Sequence, residues 1–550
     1  MLFRSEITNT VIHQQAHSLD ILSDIHKELE KHDVYIIDET QVSKPQSKFI
    51  KTYFTEHVQP ALVTYMLDDL EVIPTLKDNS AYLAVSMMME DKSRKKEKIT
   101  YALIEVPRTI DRFVEIPSTD NKHYIIILDD LIRYCIDEIF SIFKYKSIRV
   151  HMIKITRDAE LDIDSDLNKS FISKIYQGVK ERSLGHPVRF VYDKAIDKKT
   201  LGYLLKRMNL TETDSLIPGG RYHNRRDYMK FPSLGIKEFL YKKYPALKIP
   251  GLSMHGSILK QIDQKDYLLY TPYQSFSYVV RFLREAALDP KVRAIRISIY
   301  RLAEISHVAS SLINAVKNGK SVTVEIELKA RFDEESNIRY AEQMQQEGVR
   351  LIFGVKGLKV HCKACVIDRK EGGKIRHYGF ISTGNFNEFT AKVYTDYTLF
   401  TADPRICKEV IKVFQFFEVN YRVKKYKHLL VSPHYTRNAI IKLIKNEIDN
   451  HKKGLPSGIR LKMNSLSDHK LISKLYKASS VGVPIQLIIR GICCLVPGIP
   501  NKSDTIEVIS IVDKFLEHIR LFIFENNGAL TVSISSPDSM TRPPDRRVKL

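Results

Sequence analysis

Val11, Ile12, Ala16, Leu19, Leu22, Ile25 and Leu29 recur at intervals of three and four residues. This is the period of a helix with one apolar face, so the spacing predicts a single amphipathic helix over the first thirty or so residues. From Val34 to about Ile249 the pattern shortens to strand-like runs (YALIEV, YIIIL, VRFVY) mixed with helical stretches. The Gly/Pro-marked stretch SLIPGGRYHN, Ser215 to Asn224, is expected to be a loop. That texture is α+β. Beyond Pro250, strands alternate with amphipathic helices, which favours α/β layers.

The second half repeats itself in order. IRISIY around Arg296 is answered by IRLKMN around Arg460, and NGKSVTVEI around Gly319 by VGVPIQLII around Gly482. LKVHCKACVID around His361 is answered by FLEHIRLFIFE around His518, and STGN from Ser382 by SSPD from Ser535. Landmarks in one order at nearly constant offset point to a duplicated domain.

Composition narrows the partners more than the fold. With 550 residues, 43% hydrophobic and 27% charged, the chain is folded, globular and long enough for several domains. No run reaches the ~18 to 20 apolar residues that span a bilayer, and MLFRSEITNT lacks the apolar core of a secretory signal, so the expected compartment is the cytoplasm. Six Cys are too few for a disulfide scaffold, and adjacent Cys493 and Cys494 suit reduced thiols. A net charge of +21 selects an anion: nucleic acid, an acidic membrane surface or a phosphorylated substrate. Clusters such as Lys92 to Lys98 are ordinarily solvated surface.

In a strand, residues two apart share a face, so His361 and Lys363 point one way, as do His518 and Arg520. If the repeats pack about a pseudo-twofold axis, the two pairs converge on one cleft. A neutral imidazole is a competent nucleophile near pH 7, and a neighbouring cation offsets phosphate charge. The glycine of Ser382-Thr383-Gly384-Asn385 would let backbone N–H groups approach phosphate oxygens. A lone strand histidine is more often a satisfied polar residue, but His361, Lys363 and Asp368 form H-x-K-x4-D, the phospholipase D superfamily signature. The second copy departs from it, with His518, Arg520 and Glu525. Zinc at Cys362 and Cys365 is disfavoured, because in a strand they face opposite sides and no second ligand pair follows.

Longer segments resemble the phosphohistidine type of polyphosphate kinase. They are ITRDAELDID, GGRYHNRRDYMKFP, PYQSF, ARFDEESNI, GLKVHCK, STGNFNEFTAKVYTDY, KMNSL, and IRGICCLVPG through IVDKFLEH, in family order over nearly the whole chain. The resemblance implies a multidomain α/β and α+β architecture: an N-terminal helical remnant (1–32), a head domain for dimerisation (33–247), and two phospholipase D-like domains (248–428 and 429–550) around a tunnel. It implies reversible transfer of the ATP terminal phosphate to polyphosphate, with His361 phosphorylated and His518 as second catalytic histidine. Tyr394, Arg490 and His518 would bind nucleotide, with Lys363 and Asn385 also touching substrate. Arg301 and Arg331 match a Mg²⁺ and phosphate site, where an Arg, lacking a lone pair for metal, would grip phosphate oxygens. Expected partners are ATP, ADP and polyphosphate, in a homodimer or homotetramer that allows peripheral membrane association, with no specific nucleic acid. His518 is expected to bind phosphates without becoming stably phosphorylated, since its loop from Ser535 to Asp538 lacks glycine. The family's opening helices and Asn-Asn-Leu-Asp-Glu segment have no counterpart, and the chain stops at Leu550 inside an expected strand, as if shortened at both ends. The rival readings are a phospholipase D-like phosphodiesterase or nuclease with water as acceptor, and a basic nucleic-acid-binding protein.

Overall fold

A computed structural model describes residues 2–78, 80–89, 98–157, 187–210, 216–328, 334–355, 358–419, 425–433, 435–536 and 547–549. The described residues divide into two compact units, one ending at residue 241 and the other beginning at residue 242.

The first unit opens on helix α1 (Leu2–Glu30), as the periodicity requires. Its half-buried stripe runs through residues 8, 11, 12, 15, 18, 19, 22, 26 and 29, so Ala16 and Ile25 lie outside it, and Ile25 is 50% exposed. Polar side chains take their places: the ring Nε2 of His26 pairs with the Tyr228 hydroxyl at 3.0 Å. The strands are β1 (Val34–Ile37), β2 (Val63–Met66), β3 (Ala81–Met89), β4 (Ile99–Glu105), β5 (Phe113–Ile116), β6 (His123–Ile127), β7 (Tyr145–Arg157), β8 (Pro187–Asp193) and β9 (Leu216–Gly219). Among the described residues they form a small sheet β1-β6-β5 and a larger one β2-β4-β3-β7-β8-β9. β3 is covered on both faces. Its alternation sends Leu83, Val85 and Met87 into one core and Tyr82 and Ala84 into another, as period two demands. The expected loop from Ser215 to Asn224 is therefore half strand: Leu216–Gly219 pairs parallel with β8, and only from Gly220 does the chain turn away. Pairing with β8 supplies the hydrogen bonds that a local Gly/Pro reading omits.

The second unit contains β10 (Tyr267–Thr271), β11 (Val292–Ile299), β12 (Ser321–Ile326), β13 (Arg350–Phe353), β14 (Lys359–Val360), β15 (Ala364–Glu371), β16 (Lys374–Ser382) and β17 (Tyr394–Thr401). It continues with β18 (Ile459–Met463), β19 (Ile485–Ile489), β20 (Ile506–Ile509), β21 (Leu516–Glu517), β22 (Arg520–Phe524), β23 (Thr531–Ser535) and β24 (Arg547–Val548). The first sheet runs β10-β17-β16-β15-β11-β12-β13, and the second, read from its far edge, β23-β22-β18-β19-β20. The pattern β16-β15-β11-β12-β13 is thus repeated. In each copy three strands are parallel (β11/β12/β13, β18/β19/β20), and the strand following the histidine joins them antiparallel.

The duplication extends to caps and turns. The helix His307–Lys317 starts on Ser306, whose side chain accepts from the Ala309 N–H, and the helix His469–Ser479 on Asp468, which accepts from the Leu471 N–H. Each helix returns to its strand through a glycine of positive φ, Gly319 at 74° and Gly482 at 99°. At Gly482 a Cβ would also come within 2.6 Å of His451 Nε2.

The second copy lends two short strands to the first: β21 pairs with β17, and β24 pairs with β14. Among the described residues no helix is long and apolar enough to cross a membrane.

Candidate functional site

These two strands bring the two histidines to one region of the second unit. His361 to Lys363 is extended backbone between β14 and β15 rather than strand, since β15 begins at Ala364. The backbone there is tied across copies, the His361 N–H donating to the Val548 carbonyl at 2.8 Å. The shared face expected of a strand is kept. Lys363 Nζ lies 2.7 Å from His361 Nδ1 and 2.6 Å from the His361 carbonyl. Tyr300 packs its ring against His361 at 4.8 Å between centroids, with Lys363 Nζ 5.1 Å and the Arg301 guanidinium 5.6 Å from the Tyr300 centroid.

Lys363 is 1% exposed, and burial first, then the charges of Arg520 and Lys549, hold its ammonium well below the ordinary lysine value. The carboxyls beneath it do not compensate. Glu327 accepts the Val360 N–H at 3.0 Å. Glu325, fully buried and without a hydrogen-bond partner for either oxygen among the described residues, is driven well above the usual carboxyl range by burial and by Glu327.

His518 follows β21 and is anchored differently. Its Nδ1 meets both oxygens of Asp396 at 2.8 and 2.9 Å, and its backbone N–H donates to Thr395 Oγ1 at 3.1 Å. The imidazole is 12% exposed; burial, the largest influence, lowers its pKa despite the opposing pull of Asp396. The Tyr394 ring lies 5.2 Å from that of His518. Arg520 donates to the His518 carbonyl at 2.7 Å. With the Asn464 amide turned so that its oxygen faces the cations, that oxygen accepts from Arg520 at 2.7 Å and from Arg490 at 3.2 Å, while its nitrogen donates to the Glu517 carbonyl at 3.1 Å. Asn464 thus fixes two guanidinium groups beside the second histidine.

Gly384 does something other than expected. A Cβ there would fall 2.2 Å from Asp396 Oδ2, and its N–H donates to Ser382 Oγ at 3.1 Å. The glycine makes room for the carboxylate that holds His518 instead of opening its backbone to phosphate. Thr383 Oγ1 donates to the same carboxylate at 2.6 Å. Asn385 buries its Oδ1 without a partner among the described residues. Asp368 lies along β15, paired with Arg296 at 2.9 Å and His377 at 2.9 Å, five residues beyond Lys363. Its counterpart Glu525 pairs with Arg460 at 2.9 Å, so both copies use this position as a cross-strand ion pair. Arg331, the Ser535 loop beyond Ser536, and residues 92–97 of the basic cluster lie outside the described residues.

Sequence reasoning missed Asp396 and Asn464, although both stand in quoted segments, VYTDY and KMNSL. Their signal is only the polar residue inside an otherwise strand-like run.

Among the described residues no group of three His, Cys, Asp or Glu could hold a metal. Arg301 offers N–H donors alone, so these residues do not form a resident Mg²⁺ site.

Profiles of known families match almost the whole chain: the polyphosphate kinase middle domain over residues 45–231, its C-terminal domain 1 over 257–424 and its C-terminal domain 2 over 429–550. The chain is 42% identical over 536 residues to the polyphosphate kinase of Vibrio parahaemolyticus serotype O3:K6, covering 96% of this chain and 76% of that protein. It is 41% identical over 530 residues to that of Escherichia coli strain K12, covering 95% and 76%. The crystal structure of polyphosphate kinase from Porphyromonas gingivalis superposes with a TM-score of 0.84 at 34% identity, covering 99% of this chain and 80% of that one.

Proposed function

This chain belongs to the polyphosphate kinase family and is an ATP:polyphosphate phosphotransferase, and from that premise we propose that it works reversibly through a phosphoenzyme on His361. The observation that carries the proposal is the contrast between the two imidazoles: Nδ1 of His361 is backed by a lysine, and Nδ1 of His518 by a carboxylate.

Lys363, whose pKa burial lowers, has in its neutral form one lone pair and two N–H groups. It donates one hydrogen to the His361 carbonyl and accepts Nδ1–H, which leaves the lone pair of His361 on Nε2. Nε2 attacks the terminal phosphorus of ATP; the bond to the bridging oxygen breaks and its electron pair leaves with ADP. The new N–P bond puts a positive charge on the ring, which Lys363 relieves by taking the hydrogen of Nδ1, while Arg301 grips the phosphoryl oxygens. Attack by the terminal oxygen of polyphosphate reverses the chemistry and lengthens the polymer, one site serving donor and acceptor in turn. His518, with Asp396 holding its Nδ1–H, presents Nε2 as a proton acceptor or donor to the phosphates bound by Arg490, Arg520 and Tyr394.

Mg²⁺ enters this scheme as the ion carried by the ATP phosphates, hence as part of the substrate. A cleft of about 880 Å³ lined by Lys243, Arg281, Arg284, Lys392 and Lys514 borders the segments leading into Tyr394 and His518, and suits an arriving polyanion. A cytoplasmic homo-oligomer is the assembly we expect.

The test is incubation with ATP labelled in its terminal phosphate. Acid-labile, base-stable label should appear on a peptide containing His361 and chase into polymer. Normal labelling of His361→Ala would refute the assignment.

A further inference from the structure

The segment GGRYHN from Gly219 to Asn224 is not accounted for by phosphoryl transfer. In the first unit, α1 lies over the face of β7 and β8 that carries Lys154, Thr156, Arg189 and Val191, and the chain after β9 closes one side. The space between has a volume of about 460 Å³. Its contour depends on Gly220, where a Cβ would stand 2.9 Å from the Leu19 side chain of α1.

Two independent features of this cleft need explanation. The first is charge. Lys154, Arg189 and Arg225 all line it, and no carboxylate does among the described residues. Lys154 donates to Asn224 at 2.7 Å and Arg225 to the Ser18 hydroxyl, both neutral partners. Asp227, whose charge reaches Lys154, is itself engaged by Arg112 at 3.0 Å. The second is a set of unmet hydrogen bonds. Arg189 Nε, Gln15 Oε1 and His223 Nδ1 are buried and have no partner among the described residues. Folded proteins pair such atoms with few exceptions, and each exception calls for a ligand, a water or a function.

The histidine fixes which kind of ligand. His223 Nε2 lies 2.9 Å from the Gly220 carbonyl, which can only accept, so Nε2 carries the hydrogen and Nδ1 keeps its lone pair. Burial lowers its pKa to about 4, in keeping with a neutral ring at pH 7. The cleft therefore offers three cations and a buried N–H donor together with two buried acceptors. A sulfate-like anion that only accepts leaves the acceptors unmet. Two acceptors need two O–H donors: dihydrogen phosphate carries two, and a nucleoside monophosphate has two on its ribose.

We propose that this cleft is a binding site of the first unit for a phosphate compound with two hydroxyl donors, either inorganic phosphate as its dihydrogen form or a nucleoside monophosphate. Arg189 and Lys154 hold its negative oxygens, and His223 Nδ1 and Gln15 Oε1 each receive one of its two O–H groups. None of its residues belongs to the histidine site.

The test uses calorimetric titration of inorganic phosphate and, separately, of AMP into the full chain. The wild type should show two classes of site. Arg189→Gln should weaken one class at least tenfold while leaving the rate of phosphoryl transfer at saturating ATP and polyphosphate unchanged. Gln15→Glu, which places a carboxylate in the cleft from α1 without altering the sheet, should abolish the same class and raise the melting temperature by neutralising the cations, which also shows that the variant folds. AMP binding at least tenfold tighter than phosphate assigns the site to nucleotides; equal affinity assigns it to phosphate. A single class in the wild type, unchanged isotherms in both variants, or loss in one variant without loss in the other would overturn the proposal.

Discussion

On the proposed mechanism Lys363 is the residue whose charge changes during the reaction. Its folded pKa lies below the unfolded value of about 10.4. Between the two values the unfolded chain binds more protons, so this residue's contribution to stability rises with pH across that window and is smallest below the folded value. A phosphate dianion supplies the missing counter-charge and raises the pKa again. Binding of tripolyphosphate should therefore take up protons, up to about one per site, at pH values where free Lys363 is neutral. Calorimetry in buffers of different ionisation enthalpy, over a pH series up to about 10.4, reads this directly. Lys363→Met should lose the uptake, and equal uptake in wild type and variant would show that another group titrates. Gly384 supplies a second test at this scale. Gly384→Ala places a methyl against Asp396, so the carboxylate must withdraw from His518. Turnover should fall about 10²- to 10⁴-fold, the usual worth of a general acid–base, with a stability loss of about 1–3 kcal/mol from overpacking. Label from ATP should still reach His361, because its own backing by Lys363 is untouched; a variant with normal turnover would remove Asp396 from the mechanism.

Among elements, what could be read in the sequence was what is local. The 3.6-residue period found α1, the ordered landmarks found the duplicated sheet, and Gly319 and Gly482 marked equivalent helix-to-strand turns. Even the rim of α1 could not be placed, because polar Gln15, Ser18 and His26 face the sheet where Ala16 and Ile25 were expected. What escaped depends on pairing between distant segments. His518 finds Asp396 only because β21 docks on β17, and His361 gains its backbone anchor only because β24 docks on β14. No period or spacing encodes either event. The second pairing is testable by removing residues 547–550. That deletion takes away the β24 ladder and the carbonyl that holds the His361 N–H, together with Lys549, one of the charges that depress Lys363. A looser nucleophile should show as a loss of kcat of about 10²-fold or more, together with a lower melting temperature, since fully buried Val548 and the Ser432–Lys549 bridge go with the β24 pairing. Full activity in the shortened chain would mean that β14 holds the histidine unaided.

Across the whole molecule the question is what a net charge of +21 is for. Much of it is ordinary surface, solvated by water and small ions, and would not respond to a polymer. The five cations around the large cleft in the second unit are different, because they lie together beside the segments that lead to Tyr394 and His518. A polyphosphate chain entering there must shed condensed counterions, and their release makes affinity fall linearly with salt on a double-logarithmic plot. By analogy with single-stranded nucleic acids, at about 0.7 per phosphate neutralised, five contacts give a slope of about −3.5. Replacing Lys392 and Lys514 together by Gln should make the slope shallower by about 1.4. Replacing two lysines that do not line the cleft, Lys27 in α1 and Lys31 just after it, each already paired with an acid of that helix, should leave it unchanged. A polyphosphate affinity indifferent to salt, or a slope altered equally by both pairs, would mean that the cleft does not guide the polymer and that net charge acts only as a diffuse field.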